Sequence, residues 1–229
     1  MLHWPFVARL VIAVDGPSGA GKGTVARAVA RALGYRHVDT GAMYRAVGWR
    51  ARHLGIALDD EAAVTVVAEA ARFDLDDGAI RIDGHDVTGA IRTPEMDKAA
   101  TLVARNAAVR TVLVARQRAL GAEGGVVMEG RDIGTVVFPQ AALKIYLDAS
   151  PEERARRRAA DPAHTSGRTA AVADVAVDLA ARDKADSTRS VAPLMKADDA
   201  VYIDTTGMPI DDVVGRVLAL ARERTGAGG

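Results

Sequence analysis

The sequence predicts an α/β fold: a parallel sheet covered by helices on both faces, interrupted by a small antiparallel insert. Three observations carry this. Runs rich in apolar residues and of strand length, Leu10-Val11-Ile12-Ala13-Val14, Val126-Val127-Met128 and Leu143-Lys144-Ile145-Tyr146-Leu147, are separated by helical patterns, as in sheets buried on both faces. A glycine-rich turn joins the first run to a helix pattern with Val25, Val29 and Leu33 spaced i, i+4, i+8. The texture changes between Phe73 and Val87, where Asp77-Gly78 and Asp83-Gly84 separate short alternating runs, a strong hairpin signal.

Taken in order, the first strand ends near Asp15 and its helix stops at Gly34, a residue suited to the left-handed C-terminal position. His37-Val38-Asp39 reads as a second strand, and Thr40-Gly41 opens a helical stretch over residues 42–53. Asp59 or Asp60 can cap the next helix, 61–71. The hairpin region supplies about three short strands. Thr93-Pro94-Glu95 restarts helix, which continues to Leu120 with a break near Asn106. After the strands at 126–128 and 143–148, Ser150-Pro151-Glu152-Glu153 forms a capping box with proline at the first helical position. Residues 161–167 read as loop and 172–186 as helix. Ala200-Val201-Tyr202-Ile203-Asp204 is the last strand, 211–222 the closing helix, and the segment from Arg222 onward is expected to fray.

The 229 residues, 49% hydrophobic, suit one compact domain. Thirty Lys and Arg balance 30 Asp and Glu, so bulk charge gives no footprint for nucleic acid or an anionic membrane. With no cysteine, disulfides and thiolate metal sites are excluded, and no metal-binding motif occurs. The first nine residues lack the features of a signal peptide, and no run of about 18 apolar residues could span a membrane. A cytoplasmic monomer is expected.

The strongest motif follows the first strand: Gly16-Pro17-Ser18-Gly19-Ala20-Gly21-Lys22-Gly23-Thr24. Gly16-x4-Gly21-Lys22 fits a phosphate-binding loop between strand and helix. Its backbone N–H groups and the helix N-terminus attract an anion, and Lys22 can reach the outer phosphates of a nucleotide. Gly23 stands where that pattern has Ser or Thr, with the hydroxyl one residue later at Thr24, so no direct metal ligand is expected from the loop. Gly21-x-Gly23-x-x-Ala26 also fits a dinucleotide fingerprint, but begins too far past the strand. A nucleophile elbow at Ser18 fails because Ala20 occupies its last glycine position and Lys22 is left unexplained. In a parallel sheet, ligands bind at the carboxyl ends of the strands, which gathers the loop, Asp39-Thr40, the 129–132 turn and Asp148.

Three further motifs accompany the loop: Asp39-Thr40-Gly41-Ala42-Met43-Tyr44-Arg45; Glu129-Gly130-Arg131-Asp132-Ile133-Gly134-Thr135-Val136-Val137-Phe138-Pro139; and Arg182-Asp183-x-x-Asp186-x-x-Arg189-x-x-Ala192-Pro193-Leu194. Together, in this order, they resemble the bacterial cytidylate kinase family over residues 10–222. The resemblance implies a P-loop kinase fold with a monophosphate-binding insert, 40–103, and a short lid, 153–167. It implies phosphorylation of CMP and dCMP by ATP with Mg2+, the metal arriving with the nucleotide. By the same resemblance, the Gly16–Thr24 loop binds ATP. Arg45, Arg131 and Arg189 hold the acceptor phosphate and the phosphoryl in flight, and Arg157 and Arg158 belong to the lid. Asp132, Arg110 and Thr101 face the base, Arg182 and Asp186 the sugar. Thr40 stands where the family often has serine. Asp204-Thr205-Thr206 is a candidate for adenine contact.

The chemistry agrees. A phosphate acceptor needs no general base; bringing two polyanions into line needs positioning and cations, and arginine forks bind phosphate oxygens in pairs. The 154–158 arginine run has an alternative as a solvated helix face, and Arg110 and Thr101 as helix surface. Met43, Met96, Tyr44 and the tryptophans are simplest as packing residues. Asp183-Lys184-Ala185-Asp186 resembles a guanine-reading motif but falls on a predicted helix instead of a strand-end loop. Adenylate- or shikimate-type kinases lack a role for the insert and Arg131-Asp132; a GTP-dependent switch leaves the arginines without one.

Overall fold

The computed structural model describes residues 9–76, 78–161 and 171–226. Its main sheet is fully parallel. The strands are β1 (Val11–Asp15), β2 (Arg36–Asp39), β6 (Val126–Glu129), β7 (Leu143–Asp148) and β8 (Val201–Asp204), in the order β2-β6-β1-β7-β8. A second, antiparallel sheet is formed by β3 (Phe73–Asp76), β4 (Ala79–Ile82) and β5 (His85–Asp86), as the Asp-Gly turns predict. Parallel register pairs Val14 with Glu129 and Asp39 with Glu129, so the strand ends that carry the motifs line up on one edge.

Helix α1 (Lys22–Leu33) and the closing helix, α8 (Ile210–Arg224), cover one face of the main sheet. Val25, Val29, Val213 and Val217 there pack on Ile12, Val14, Ile145 and Leu147. The opposite face takes Val114 of α5 (Ala107–Gly121) and a single π-helical turn, Ile133–Val137, against Ala13, Val38 and Met128. Helices α2 (Thr40–His53), α3 (Glu61–Ala70) and α4 (Pro94–Arg105) form a further core with α5, in which Met43, Val47, Val64, Val103 and Leu113 meet. Two more helices, α6 (Pro151–Ala159) and α7 (Val172–Thr188), pack through Ala155, Val175 and Leu179.

The caps follow local chemistry. Asp60 accepts from Ala63 N at 3.0 Å, Ser150 from Glu153 N at 3.2 Å, and Asn106 ends α4 and caps α5 through bonds from Ala108 N and Val109 N. Helix α2 starts at Thr40, because the Asp39 side chain accepts from Ala42 N and serves as its N-cap. The stretch after Asp132 is a π turn. One expectation needs correction. Arg222, Glu223 and Arg224 do not fray but complete α8, which buries Ala221 against the sheet. The loop expected at 161–167 lies outside the described residues from 162 onward, as does that part of the lid; 153–159 are helical.

Candidate functional site

The strand ends open into a cleft of about 680 Å³, within the range of nucleotide-sized sites. On one wall is the phosphate loop. Gly16 adopts φ +142, and a Cβ there would lie 1.9 Å from the Leu147 carbonyl oxygen, so only glycine fits. Gly16 and Pro17 do not reach the cleft surface; they set the turn, and Ser18, Gly19, Ala20, Gly21, Lys22, Gly23 and Thr24 line it. Gly21, at φ 88, is the N-cap of α1, leaving the first N–H groups of that helix turned to the cleft. Lys22 is 6% exposed, and its Nζ donates to Pro17 O at 2.7 Å. Burial, reinforced by Arg131, pulls its pKa well below the usual lysine value.

The loop is held from outside. Arg154 Nη1 donates to Ser18 O at 3.1 Å and is paired with Asp183, whose other oxygen accepts from Ser18 N at 3.3 Å. Asp183 and Arg154 are therefore a brace for the loop. Arg157 donates to Thr205 O at 2.6 Å and to Thr205 Oγ1 at 2.9 Å, joining α6 to the segment after β8. Thr205, Met208, Ile210 and Val213 form the cleft wall there, whereas Asp204 and Thr206 do not line it. Arg156 is exposed and pairs with Glu153.

The other wall is a field of arginines. Thr40, Arg45, Thr101, Arg110, Arg131, Asp132, Arg157, Arg158, Arg182, Asp186 and Arg189 all line the same cleft, so the residues the resemblance assigns to the acceptor and the lid are brought together; Asp148, expected with them at a strand end, does not line it. Arg45 pairs with Asp39 at 2.8 Å, Arg131 with Asp186 at 3.0 Å, and Arg110 with Asp132. Arg189 bridges Asp132 at 3.5 Å and Asp186 at 3.8 Å. Arg182 is not ion-paired with Asp186; it pairs with Asp97 at 3.0 Å. Arg131 also donates to Ser18 Oγ at 2.7 Å, linking the two walls. Thr40 donates to Glu129 O at 2.7 Å, and Thr101 to Asp97 O at 3.1 Å.

Burial pushes the Asp132 carboxyl above the ordinary aspartate range, against the pull of Arg110 and Arg189. Asp186 is also raised by burial, but Arg131, Arg182 and Arg189 outweigh it and hold its pKa below the ordinary value. Despite these pairs, donors remain over: Arg45 Nε, Arg158 Nε, Arg182 Nε and Arg189 Nη2 are buried with no hydrogen-bond acceptor. Unsatisfied buried donors of this kind are costly and call for an acceptor that enters the site.

Sequence reasoning missed three contributors. Asp15, at the end of β1, accepts from Ile133 N at 2.9 Å and Gly134 N at 2.7 Å; burial pushes its pKa up to about 6. Asp97, on α4, meets Arg45, Arg158 and Arg182. Tyr44, read as packing, is 7% exposed, carries Arg110 5.6 Å above its ring and lines the cleft. For Asp15 the signal was its place beside the loop, and for Tyr44 its place in the 39–45 motif next to Arg45; Asp97 offered none at the level of motif.

A parallel sheet with a glycine phosphate loop at its central strand, opposite an arginine-lined wall, defines a P-loop kinase, a phosphotransferase. Solved structures support that fold: the shikimate kinase of Acinetobacter baumannii superposes with a TM-score of 0.51 at 19% identity, covering 95% of this chain and 96% of that one. A gluconokinase from Sinorhizobium meliloti gives 0.51 at 18%, covering 96% of each. The family model for cytidylate kinase matches residues 12–223. Cytidylate kinase of Desulfitobacterium hafniense is 47% identical over 96% of this chain and 95% of its own length, and that of Geobacillus sp. is 47% identical over 94% and 97%. The chain belongs to the cytidylate kinase family.

Proposed function

We propose that the protein transfers the γ-phosphoryl group of ATP to CMP or dCMP, giving CDP or dCDP and ADP. The observation that carries this reading is the set of buried arginine donors without acceptors, facing Lys22 across one cleft. In the reaction the β–γ bridging P–O bond breaks and a phosphate oxygen of the monophosphate takes up the phosphoryl group. The acceptor is already anionic, so no side chain has to remove a proton. What the protein supplies is alignment and charge.

In this assignment the loop residues 16–24 hold the ATP phosphates, with Lys22 against the transferring group. Arg45, Arg131 and Arg189 hold the acceptor phosphate, and Arg157 and Arg158 close over the transfer from the lid, 153–167. The insert, 40–103, carries the monophosphate. Asp132 accepts from cytosine N4 while Arg110 and Thr101 face the remaining base edge, a pairing that base geometry favours. Arg182 and Asp186 take the sugar. Mg2+ supplies charge neutralisation at the phosphates when it is bound with ATP. Its hard-oxygen chemistry fits the Glu129 carboxylate, which lines the cleft beside Gly23 and is oriented by His37 at 2.9 Å. The same reading makes the protein a cytoplasmic monomer.

The test is ADP production measured with CMP, dCMP, UMP, AMP and no acceptor. Turnover that depends on CMP or dCMP supports the reading. A preference for AMP, or ADP formed equally well without acceptor, overturns it.

A further inference from the structure

Asp97 is not part of any motif, yet it is the anion on which three structural elements converge. It projects from α4 with a side chain only 13% exposed. Arg182 of α7 reaches it at 3.0 Å, Arg158 of α6 bonds to it, and Arg45 of α2 lies at 3.8 Å, its main partner being Asp39. The Nε atoms of these same three arginines are buried without an acceptor. One carboxylate offers two oxygens; it balances charge here but leaves donors over that a phosphate, with more oxygens, could occupy.

Charge bookkeeping points the same way. Among the described residues, the ion pairs of the acceptor wall involve six guanidiniums (Arg45, Arg110, Arg131, Arg158, Arg182, Arg189) and four carboxylates, those of Asp39, Asp97, Asp132 and Asp186. Within this set the guanidiniums exceed the carboxylates by two, the charge of a phosphate monoester that is largely dianionic near neutral pH. We propose that Asp97 is a resident counter-ion of the acceptor wall: it ties Arg158 and Arg182 across the cleft in the empty enzyme, yields them to the incoming phosphate, and keeps the wall matched to a monophosphate instead of a more highly charged anion. It is a specificity-determining residue that acts through the arginines and need not touch the substrate. This rests on the assignment of those arginines to phosphate.

Removing the charge while keeping the shape, in Asp97→Asn, leaves a third positive charge unmatched. Affinity for anions should then rise in proportion to their charge. The dissociation constant of inorganic pyrophosphate, which is not a substrate, should fall about ten-fold, and that of CDP by a similar factor, given a nearby charge worth at least one pK unit. KM for CMP should fall less, and kcat should fall with it as CDP leaves more slowly. Asp97→Glu, which retains the charge, should behave as wild type. In the nucleotide-free protein, hydrogen exchange across residues 151–159 should quicken in Asp97→Asn. It should also quicken in wild type when potassium chloride is raised, which needs no variant to fold. Unchanged or weaker binding of pyrophosphate and CDP to Asp97→Asn, or exchange insensitive to both charge and salt, overturns the counter-ion role. The pyrophosphate and exchange arms hold even if wild type fails to phosphorylate CMP, an outcome that would sink the cytidylate assignment alone.

Discussion

The phosphate loop and the arginine wall face each other across one cleft but are held in place by different means. The loop is consecutive residues. Its shape comes from glycine backbone angles, and its charge from N–H groups and one lysine on the first turn of α1. The wall is assembled from α2, α4, α5, α6, α7 and the turn after β6, and its guanidiniums hold one another's counter-ions. A loop shaped by its own backbone angles carries its anion-binding N–H groups without exchanging partners. A wall built from exchangeable ion pairs can trade its internal carboxylates for a substrate's phosphate. The contrast suits a reaction in which one polyanion must be gripped and the other aligned.

Breaking the loop side should cost most. Gly16→Ala places a methyl group against the Leu147 carbonyl, which is backbone of β7 and cannot turn away. We expect a loss of about 3 kcal/mol or more in urea unfolding. Gly34→Ala, at φ 63 with open space around it, should lose only about 1–2 kcal/mol. Equal losses would mean that the loop is not wedged against β7.

Asp15 joins the two sides, since it ends the strand that feeds the loop and holds the turn that carries Asp132. Its folded pKa of about 6 lies above the ordinary 3.8. The folded protein therefore takes up this proton while the unfolded chain is still ionised. The contribution of Asp15 to stability is greatest below pH 4 and declines as pH rises to about 6, by roughly 3 kcal/mol at most. Other carboxylates, Asp186 among them, slope the opposite way. The measurement is therefore the difference between wild type and Asp15→Asn, taken from unfolding at intervals across pH 4–7. A difference that stays flat would show that the two backbone bonds offset the burial.

Lys22→Met separates the charge of the loop from its shape. The glycine turn survives, so ATP affinity should change modestly, while kcat should fall on the order of 10²-fold because the ammonium acts on charge that develops in transfer. Near-normal turnover would remove the loop lysine from the chemistry. The smallest effect belongs to the adaptable wall. Asp132→Asn keeps the shape of a residue held by Arg110 and Arg189, but its amide can face the uracil oxygen. The CMP-to-UMP ratio of kcat/KM should narrow about ten-fold. If both substrates fall equally, Asp132 serves only to hold the arginines.

Much of this was legible in the chain itself, for a physical reason. The glycine loop, the capping residues Asp60 and Ser150, the Asp-Gly turns and the break at Asn106 are local: the groups that decide them lie within a few residues, so composition and spacing expose them. Apolar runs separated by helical periods were sufficient for a parallel sheet, and four motifs, three at strand ends and one on a helix, pointed to Arg45, Arg131, Arg182 and Arg189 among the arginines that line the cleft. What only the tertiary structure decided depends on distant partners. The strand order β2-β6-β1-β7-β8 comes from packing across the whole sheet. The π turn at Ile133–Val137 is anchored by Asp15, 118 residues before its first bond. Arg182 pairs with Asp97 instead of Asp186, which lies on its own helix, because α4 and α7 pack against each other. Asp97 itself looks in sequence like any acidic residue in the first turn of a helix, and becomes the shared anion of three arginines only once α2, α6 and α7 have folded around it.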